Sequence, residues 1–461
     1  MKRFPILCFL LFVLLSSFVP KISAEPNQDR YVVLVSIDGL ADYYFEDPKA
    51  FMPIIRELAA NGARSKRMEC SFPTVTWPNH TSLVTGVHAG KHGVLGNNYF
   101  DRETQKTVPL IPDPLFDKHE IVTSPTVYDV VHEAGLKTAG VCWPASRRAA
   151  TLDWQVPDVF DQAIFEDSST ASLLEELKDK GIPYWKQNEW CKMGNAGKPM
   201  RDWMYTRIAE HIITTHMPNL LMVHLVSVDA LEHATGRQSE EAYWAIGDSD
   251  RCVRELIDAT ETAGIRDKTT FFVCADHGFI TYTKQILPNI VLREEGFREG
   301  KGLKLRQQAY ALAQGGGCFI YILDEENKTA IREQLAKRFA EVEGVEVVVT
   351  PEKFAKFGHR TPEQDPKEPD LMLSAADGYS FSGSDNGDAV ITETDGPKGS
   401  HGYSPFHKLM GATCVVGGAG IKDGIVLEEI SNTDVAPTIA KILGVDMPSA
   451  DGRALTEILE Q

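Results

Sequence analysis

Three apolar runs of this chain stop on a residue able to ligate a metal ion. Asp38 follows YVVLVSI, Asp229 follows NLLMVHLVSV, and the pair Asp276 and His277 follows TTFFVCA. Carboxylate oxygens and imidazole nitrogens suit zinc, although such a donor set also admits manganese or iron. A single aspartate after a strand is commonly a turn former or a helix cap. Recurrence at three strand ends points instead to one crevice, because ligands of open α/β sheets collect outside the carboxyl ends of the strands. Asp229 and His233 stand four residues apart in DALEH, so a helical turn there projects both from one face, where they can share an ion. Glu232 beside them reads as a solvated side chain or an outer partner of the ligands. His224, inside an apolar run, reads as a satisfied core histidine or a support behind the ligands.

The segment SFPTVTWPNHTSLVTGVHAGKHGVLGNN at 71–98 is the most specific signal in the chain. It offers the Thr76 hydroxyl, then Pro78 with its fixed dihedral, then a helix-like stretch from Asn79. A threonine hydroxyl is a poor nucleophile at neutral pH. A metal ion corrects this by stabilising the alkoxide, with no need of a histidine base. If Thr76 opens a helix, the free N–H groups of that terminus favour a phosphate oxygen, and Asn97 is placed to donate a second hydrogen bond to it.

These groups need a scaffold, and the pattern around them is α/β. YVVLVSI, KTAGVCW at 137–143, NLLMVHLVSV at 219–228, TTFFVCA at 269–275 and GATCVVGG at 411–418 read as strands of a largely parallel sheet buried on both faces. SPTVYDVVHEAG at 124–135 and the segment 239–264 read as amphipathic helices ending at glycine. Residues 25–461 are expected to form one catalytic domain, with insertions at about 150–215 and 281–400. A separate domain is the alternative for the second insertion.

The N-terminus has the layout of a signal peptide. MKR precedes the 16-residue apolar run FPILCFLLFVLLSSFV, shorter than the roughly 20 residues of a spanning helix. Cleavage after Ala24 is expected to give a secreted or periplasmic protein without a transmembrane anchor. The 47 Lys and Arg face 65 Asp and Glu, a formal charge of −18. That balance argues against a stable nucleic-acid partner, and a phosphate ester approaching this acidic surface needs bound cations to supply local positive charge. Outside the leader an odd number of cysteines remains, Cys70, Cys142, Cys191, Cys252, Cys274, Cys318 and Cys414. None is in a CxxC pair, and several lie in apolar runs, so buried free thiols are expected.

SIDG at 36–39, PTVTWPNHTSLVTG at 73–86, HGVLGNN at 92–98, SVDALEH at 227–233, ADHG at 275–278 and GSHGY at 399–403 occur in one order across nearly all the mature chain. In this they resemble the nucleotide pyrophosphatase/phosphodiesterase family of the alkaline phosphatase superfamily. The resemblance implies an α/β sandwich with a central, mostly parallel sheet flanked by helices and an inserted cap region. It implies two divalent ions, taken as Zn2+, one held by Asp38, Asp276 and His277 and touching Thr76, the other by Asp229, His233 and His401. It further implies Thr76 as nucleophile through a phosphothreonine intermediate, with Asn97 and the Trp77 backbone N–H holding a non-bridging oxygen of a small-molecule phosphoric ester.

The chain departs from that family at Trp77, where phenylalanine is common, and at 147–158, which lacks a tyrosine that often clamps a nucleobase. Trp77 is therefore read either as a stacking surface for substrate or as ordinary packing. Arg147 and Arg148 read as a second anion site or as surface charge. Tyr184, Trp185, Trp190, Trp203 and Tyr205 read as an aromatic wall or as core. A phosphomonoesterase or phosphonate hydrolase of the same superfamily is the alternative activity, and a metal-binding relative without turnover the alternative class. The oligomeric state is not legible in the sequence.

Overall fold

The computed structural model describes residues 26–111, 116–300 and 306–460, so the expected leader at 1–24 lies outside the described residues. The central strand Tyr31–Ile37 is the expected apolar run, with Val32, Leu34, Val35 and Ile37 wholly buried. Both its faces are covered, which is why it reads as a continuous run and not as an alternation. Each such side chain removed from water contributes roughly 1.5–3 kcal/mol.

Eight strands form the main sheet, in the order Ile425–Ser431, Gly62–Glu69, Cys414–Gly418, Thr269–Cys274, Tyr31–Ile37, Leu220–Leu225, Thr138–Trp143 and Trp154–Pro157. All pair in parallel except Cys414–Gly418, which is antiparallel to both neighbours. Helices close both faces of the sheet, among them Val127–Glu133, capped by Thr126, and Glu240–Thr262, whose Ser239 side chain accepts the Ala242 N–H. The expected mostly parallel α/β sandwich is therefore the architecture observed.

Two stretches differ in detail from the sequence reading. Within 150–215, Trp154–Pro157 is the edge strand of the sheet, and the helix Gly197–His216 packs on Leu220–Leu225, so part of that stretch belongs to the core layers. The sequence hides this helix because Arg201, Asp202, Thr206 and His211 are buried, which erases the apolar stripe. Within 281–400, a four-stranded antiparallel sheet, ordered Ala309–Gln314, Gly317–Ile322, Leu371–Ala375 and Val345–Val349, packs with the helix Lys328–Ala340 over its own apolar cluster. A three-stranded sheet then brings Ile391–Ser400 back beside Ile280–Ile286, and His401 follows at once.

Among the described residues the seven cysteines are all free, and six are buried. Among the described residues no helix is long and apolar enough to cross a membrane.

Candidate metal centre

Neighbouring parallel strands end on Asp38 and on Asp276 and His277, so chain register alone brings these donors together. Asp229 and His233 do not continue their strand. Leu220–Leu225 gives way to the helix Ser227–Thr235, on which the two residues lie one turn apart. Asp229 N–H donates to the Asp38 carbonyl at 3.0 Å, tying that helix to the end of the central strand. His401 reaches the same place from the three-stranded sheet. At Gly402, φ is +94° and a side chain would meet the Gln314 carbonyl at 1.9 Å, so only glycine permits this return.

Thr76 is the first residue of the helix Thr76–Thr85, preceded by the extended Val75. Pro78 is tolerated in this first turn because its missing N–H would have had no helical partner. Asn79 fixes the approach: its Oδ1 accepts the Ser71 N–H at 2.7 Å, and its Nδ2 donates to the Val75 carbonyl at 2.9 Å. One turn on, His80 Nδ1 meets the Thr76 carbonyl at 2.9 Å and lies 3.4 Å from Asp276 Oδ2, so the helix start is anchored at the centre. Trp77 N–H donates to Asn97 Oδ1 at 2.9 Å, which sets both expected oxyanion donors side by side. The Trp77 indole is 2% exposed and packs with Val94, Leu110 and Ile121. Burial leaves its backbone N–H, and not a stacking ring, as the Trp77 group available at the centre.

The donors fall into two triads, Asp38 with Asp276 and His277, and Asp229 with His233 and His401. Ligands 2.0–2.1 Å from a tetrahedral ion are roughly 3.3 Å from one another. Here His277 Nε2 lies 3.3 Å from Asp38 Oδ1 and 3.2 Å from Asp276 Oδ2. In the other triad Asp229 Oδ1 lies 3.3 Å from His233 Nε2 and 3.5 Å from His401 Nε2, and the two nitrogens are 3.1 Å apart. The triads adjoin, with the His277 and His401 rings stacked at 3.8 Å.

Hydrogen bonding shows what these atoms await. Asp38 Oδ1, Asp229 Oδ1, Asp276 Oδ2 and His277 Nε2 are buried without a hydrogen-bond partner. On three of the side chains the opposite atom is held: Asp276 Oδ1 accepts the Gly39 N–H at 3.1 Å, His233 Nδ1 donates to the Gly399 carbonyl at 2.9 Å, and His401 Nδ1 to the Thr74 carbonyl at 3.0 Å, whereas His277 Nδ1 is orphaned like its Nε2. Holding Nδ1–H against a carbonyl turns a lone pair at Nε2 outward, the usual support of a metal-binding histidine. Two lone pairs then face each other 3.1 Å apart, an arrangement that a cation between them resolves. Titration agrees. Burial, then the neighbouring Asp229 charge, pushes the Asp38 carboxyl up, and burial with Asp38 does the same to Asp276. Burial, then His401, holds His277 well below the usual imidazole range, and burial with His233 lowers His401 to about 4. Burial opposes charge on His233 too, but there the neighbouring Asp229 wins and raises it above the ordinary imidazole value, so the part of the set ready for a divalent cation is the crowded carboxylates with the neutral imidazoles of His277 and His401.

Two other clusters do not fit an ion by the same test. Glu176 Oε2 lies 2.7 and 2.8 Å from His211 and His216 Nε2, hydrogen-bond spacing with no orphaned atom. Cys142, Asp158 and His224 already carry the Arg201 guanidinium, 3.5 Å from Asp158 Oδ1.

Some supports were not legible in the sequence. Asp202, in the helix Gly197–His216, accepts the Val226 and Ser227 N–H groups at 2.8 and 2.9 Å and so caps the helix bearing Asp229 and His233. Only the tertiary fold brings it there. Glu232 is not a solvated side chain: it is fully buried and accepts the Tyr44 hydroxyl at 2.5 Å. Arg147 and Arg148 are engaged with Asp117, and Arg148 also with Asp167. Tyr205 and Trp190 are buried, whereas Trp185 and Trp203 are exposed.

The profile of the Type I phosphodiesterase / nucleotide pyrophosphatase family matches residues 32–404. An uncharacterized pyrophosphatase/phosphodiesterase of Schizosaccharomyces pombe is 26% identical over 254 residues, 54% of this chain and 44% of that protein. Ectonucleotide pyrophosphatase/phosphodiesterase family member 1 of Mus musculus is 24% identical over 250 residues, 53% of this chain and 24% of its own. The chain thus spans less than half the length of these relatives. The solved structure of murine ectonucleotide pyrophosphatase/phosphodiesterase 5 superposes with a TM-score of 0.68 at 17% identity, covering 94% of this chain and 100% of the other, which shows a shared fold. With the profile spanning most of its length and the motif residues gathered at one centre, the chain belongs to the type I phosphodiesterase/nucleotide pyrophosphatase family.

Proposed function

We propose that this protein is an exported two-metal phosphoric diester hydrolase that acts through a phosphothreonine intermediate at Thr76. The observation that carries the reading is the pair of adjoining triads with orphaned donor atoms, set beside a helix that begins with Thr76. Asp38, Asp276 and His277 would hold one ion and Asp229, His233 and His401 the other, Zn2+ being the best match to mixed carboxylate and imidazole donors. Bound there, divalent cations supply Lewis acidity, which lowers the pKa of a hydroxyl or water and neutralises charge gathering on the phosphoryl oxygens.

The chain's own groups account for the rest. Thr76 Oγ1 attacks phosphorus in line, the P–O bond to the leaving alcohol or phosphate breaks, and a phosphothreonine ester forms. The Trp77 N–H leaves Asn97 Oδ1 for a non-bridging oxygen, and Asn97, with its amide turned, donates to the same oxygen. Water then displaces Thr76 Oγ1 in a second in-line step and releases the phosphate monoester.

A diester is favoured over a monoester by the surrounding charge. A third anionic oxygen requires another cation; Arg147 and Arg148 are already engaged with Asp117, which leaves, among the described residues, Lys198, whose charge reaches Asp38 and His233, as the one to compensate it. An inactive threonine-to-alanine form of murine member 5 has been solved in complex with AMP, which supports a nucleotide-containing diester as substrate class.

The test measures metal content together with hydrolysis of p-nitrophenyl thymidine monophosphate and p-nitrophenyl phosphate, with and without chelator. The expected result is two metal equivalents, faster turnover of the diester, and loss of both rates on chelation. Metal-replete protein that hydrolyses neither ester would remove the proposal, and a faster monoester rate would transfer it to the phosphomonoesterase reading.

A further inference from the structure

Three side chains of the centre are held by the main chain through the atom turned away from the ion site: Asp276 by the Gly39 N–H, His233 by the Gly399 carbonyl and His401 by the Thr74 carbonyl. Asp38 is different. Its Oδ2 lies 3.0 Å from His224 Nε2, a side chain 1% exposed on the adjacent parallel strand Leu220–Leu225. In the sheet register His224 stands opposite Ser36, two residues before Asp38, so its ring lies just behind the carboxylate.

The other face of the ring is also specified. His224 Nδ1 lies 3.1 Å from the Cys142 carbonyl. Cys142 has φ +56°, a left-handed conformation that a non-glycine residue rarely adopts, where the pairing of Thr138–Trp143 with Trp154–Pro157 shifts register between Val141 and Trp143. Strain of this kind persists where the surroundings impose it, and it gathers at functional sites. Behind Cys142 stand Asp158, 3.6 Å from its sulfur, and the Arg201 guanidinium. His224 thus joins a strained peptide on one side to a metal-ligand candidate on the other.

Its hydrogen bonds have a consequence for ligation. A carbonyl and a carboxylate are both acceptors, so the ring donates through each nitrogen. With Oδ2 occupied, Asp38 presents the single orphaned oxygen Oδ1, 3.3 Å from His277 Nε2. Without the histidine donor the carboxylate would be free to turn about its Cβ–Cγ bond, and Oδ1 would lose its fixed place in the triad.

We propose that His224 is a positioning residue for the Asp38–Asp276–His277 triad: held by the Cys142 carbonyl, it fixes Asp38 as a one-oxygen ligand. This rests on the two-metal reading above. A histidine that merely fills the core would contribute its volume there and leave metal affinity alone.

The test uses the metal-loaded protein and the variants H224L and H224Q. Zn2+ affinity is read by chelator competition, ligand geometry by the visible absorption of the Co2+-substituted forms, and kcat and KM at saturating Zn2+. For H224L we expect one of the two metal equivalents to weaken 10- to 100-fold, the usual effect of losing such a supporting bond, with the other unchanged and KM within about twofold. H224Q, which restores an N–H toward Asp38, should recover part of the affinity and the wild-type Co2+ bands. Wild-type affinity for both equivalents in H224L overturns the inference, as does equal loss in both variants. Should H224L fail to fold, H224Q decides: a partial weakening confined to one equivalent, with the wild-type Co2+ bands kept, supports the role, and weakening of neither or of both overturns it. If the wild-type protein itself holds no two equivalents, the two-metal reading fails, a result distinct from any of these.

Discussion

Asp202 offers a sharp test of how the fold sustains the centre, because it touches no substrate and ligates nothing. Its carboxylate accepts the Val226 and Ser227 N–H groups at 2.8 and 2.9 Å in a buried setting, in place of a local cap on the helix Ser227–Thr235. Asp202→Ala leaves both donors without a partner. Losing a cap costs about 1 kcal/mol, and a buried unsatisfied N–H about 1–3 kcal/mol. Part is offset, since burial raises the Asp202 carboxyl above its usual range and its removal relieves that desolvation. The net destabilisation expected is about 2–4 kcal/mol, and about half of that for Asp202→Asn, which keeps one acceptor. Because Asp229 lies in the first turn of the capped helix, the affinity of the Asp229, His233 and His401 triad should fall with it, by roughly 10-fold. Urea denaturation of the metal-free protein reads the first quantity and chelator competition the second. Stability within 0.5 kcal/mol of wild type, with both metal equivalents intact, would refute the reasoning.

Three further outcomes follow. Thr76→Ala should lower turnover of the diester by three or more orders of magnitude while both metal equivalents remain, and Thr76→Ser should keep measurable activity, since it keeps a hydroxyl. Asn97→Ala should reduce kcat about 100- to 1000-fold, the cost of one oxyanion donor, in steady-state assays with the same ester. His359 links the second sheet to the catalytic segment: its Nδ1 lies 2.7 Å from Glu368 Oε2, and its Nε2 2.7 Å from the Phe72 carbonyl. Burial opposes its charge, but Glu368 and the carbonyl raise its pKa above the ordinary 6.5. The stability this gives is fully present below about pH 6.5 and is lost as pH rises through the folded value, so denaturation midpoints should decline across that window. His359→Gln should lower the midpoint at pH 6 by an amount equivalent to about 1–3 kcal/mol and flatten the decline.

What the sequence made legible follows from what local chemistry can encode. Asp38, Asp276 and His277 were readable because a parallel strand buried on both faces is a conspicuous apolar run and its end is abrupt. Asp229 and His233 were readable from spacing, although the run NLLMVHLVSV overshot its strand: it ends at Leu225, and the apolar residues beyond belong to the next helix. His401 had no local signal, since it follows a partly exposed strand, and only the family resemblance attached it to the others. Asp202 and the buried state of Glu232 escaped because their partners lie far away in sequence. Trp77 shows the opposite limit: its position after Thr76 left a stacking surface and ordinary packing equally open, and only the fold, which turns its ring into the core, decides for packing.

The stereochemistry of hydrolysis at phosphorus tests the central claim most directly, with a chiral phosphorothioate diester cleaved in isotopically labelled water and the product configuration read by 31P NMR. Two in-line displacements, the first by Thr76, predict net retention. Net inversion would mean that water attacks the diester in a single step, and Thr76 would lose its role as nucleophile.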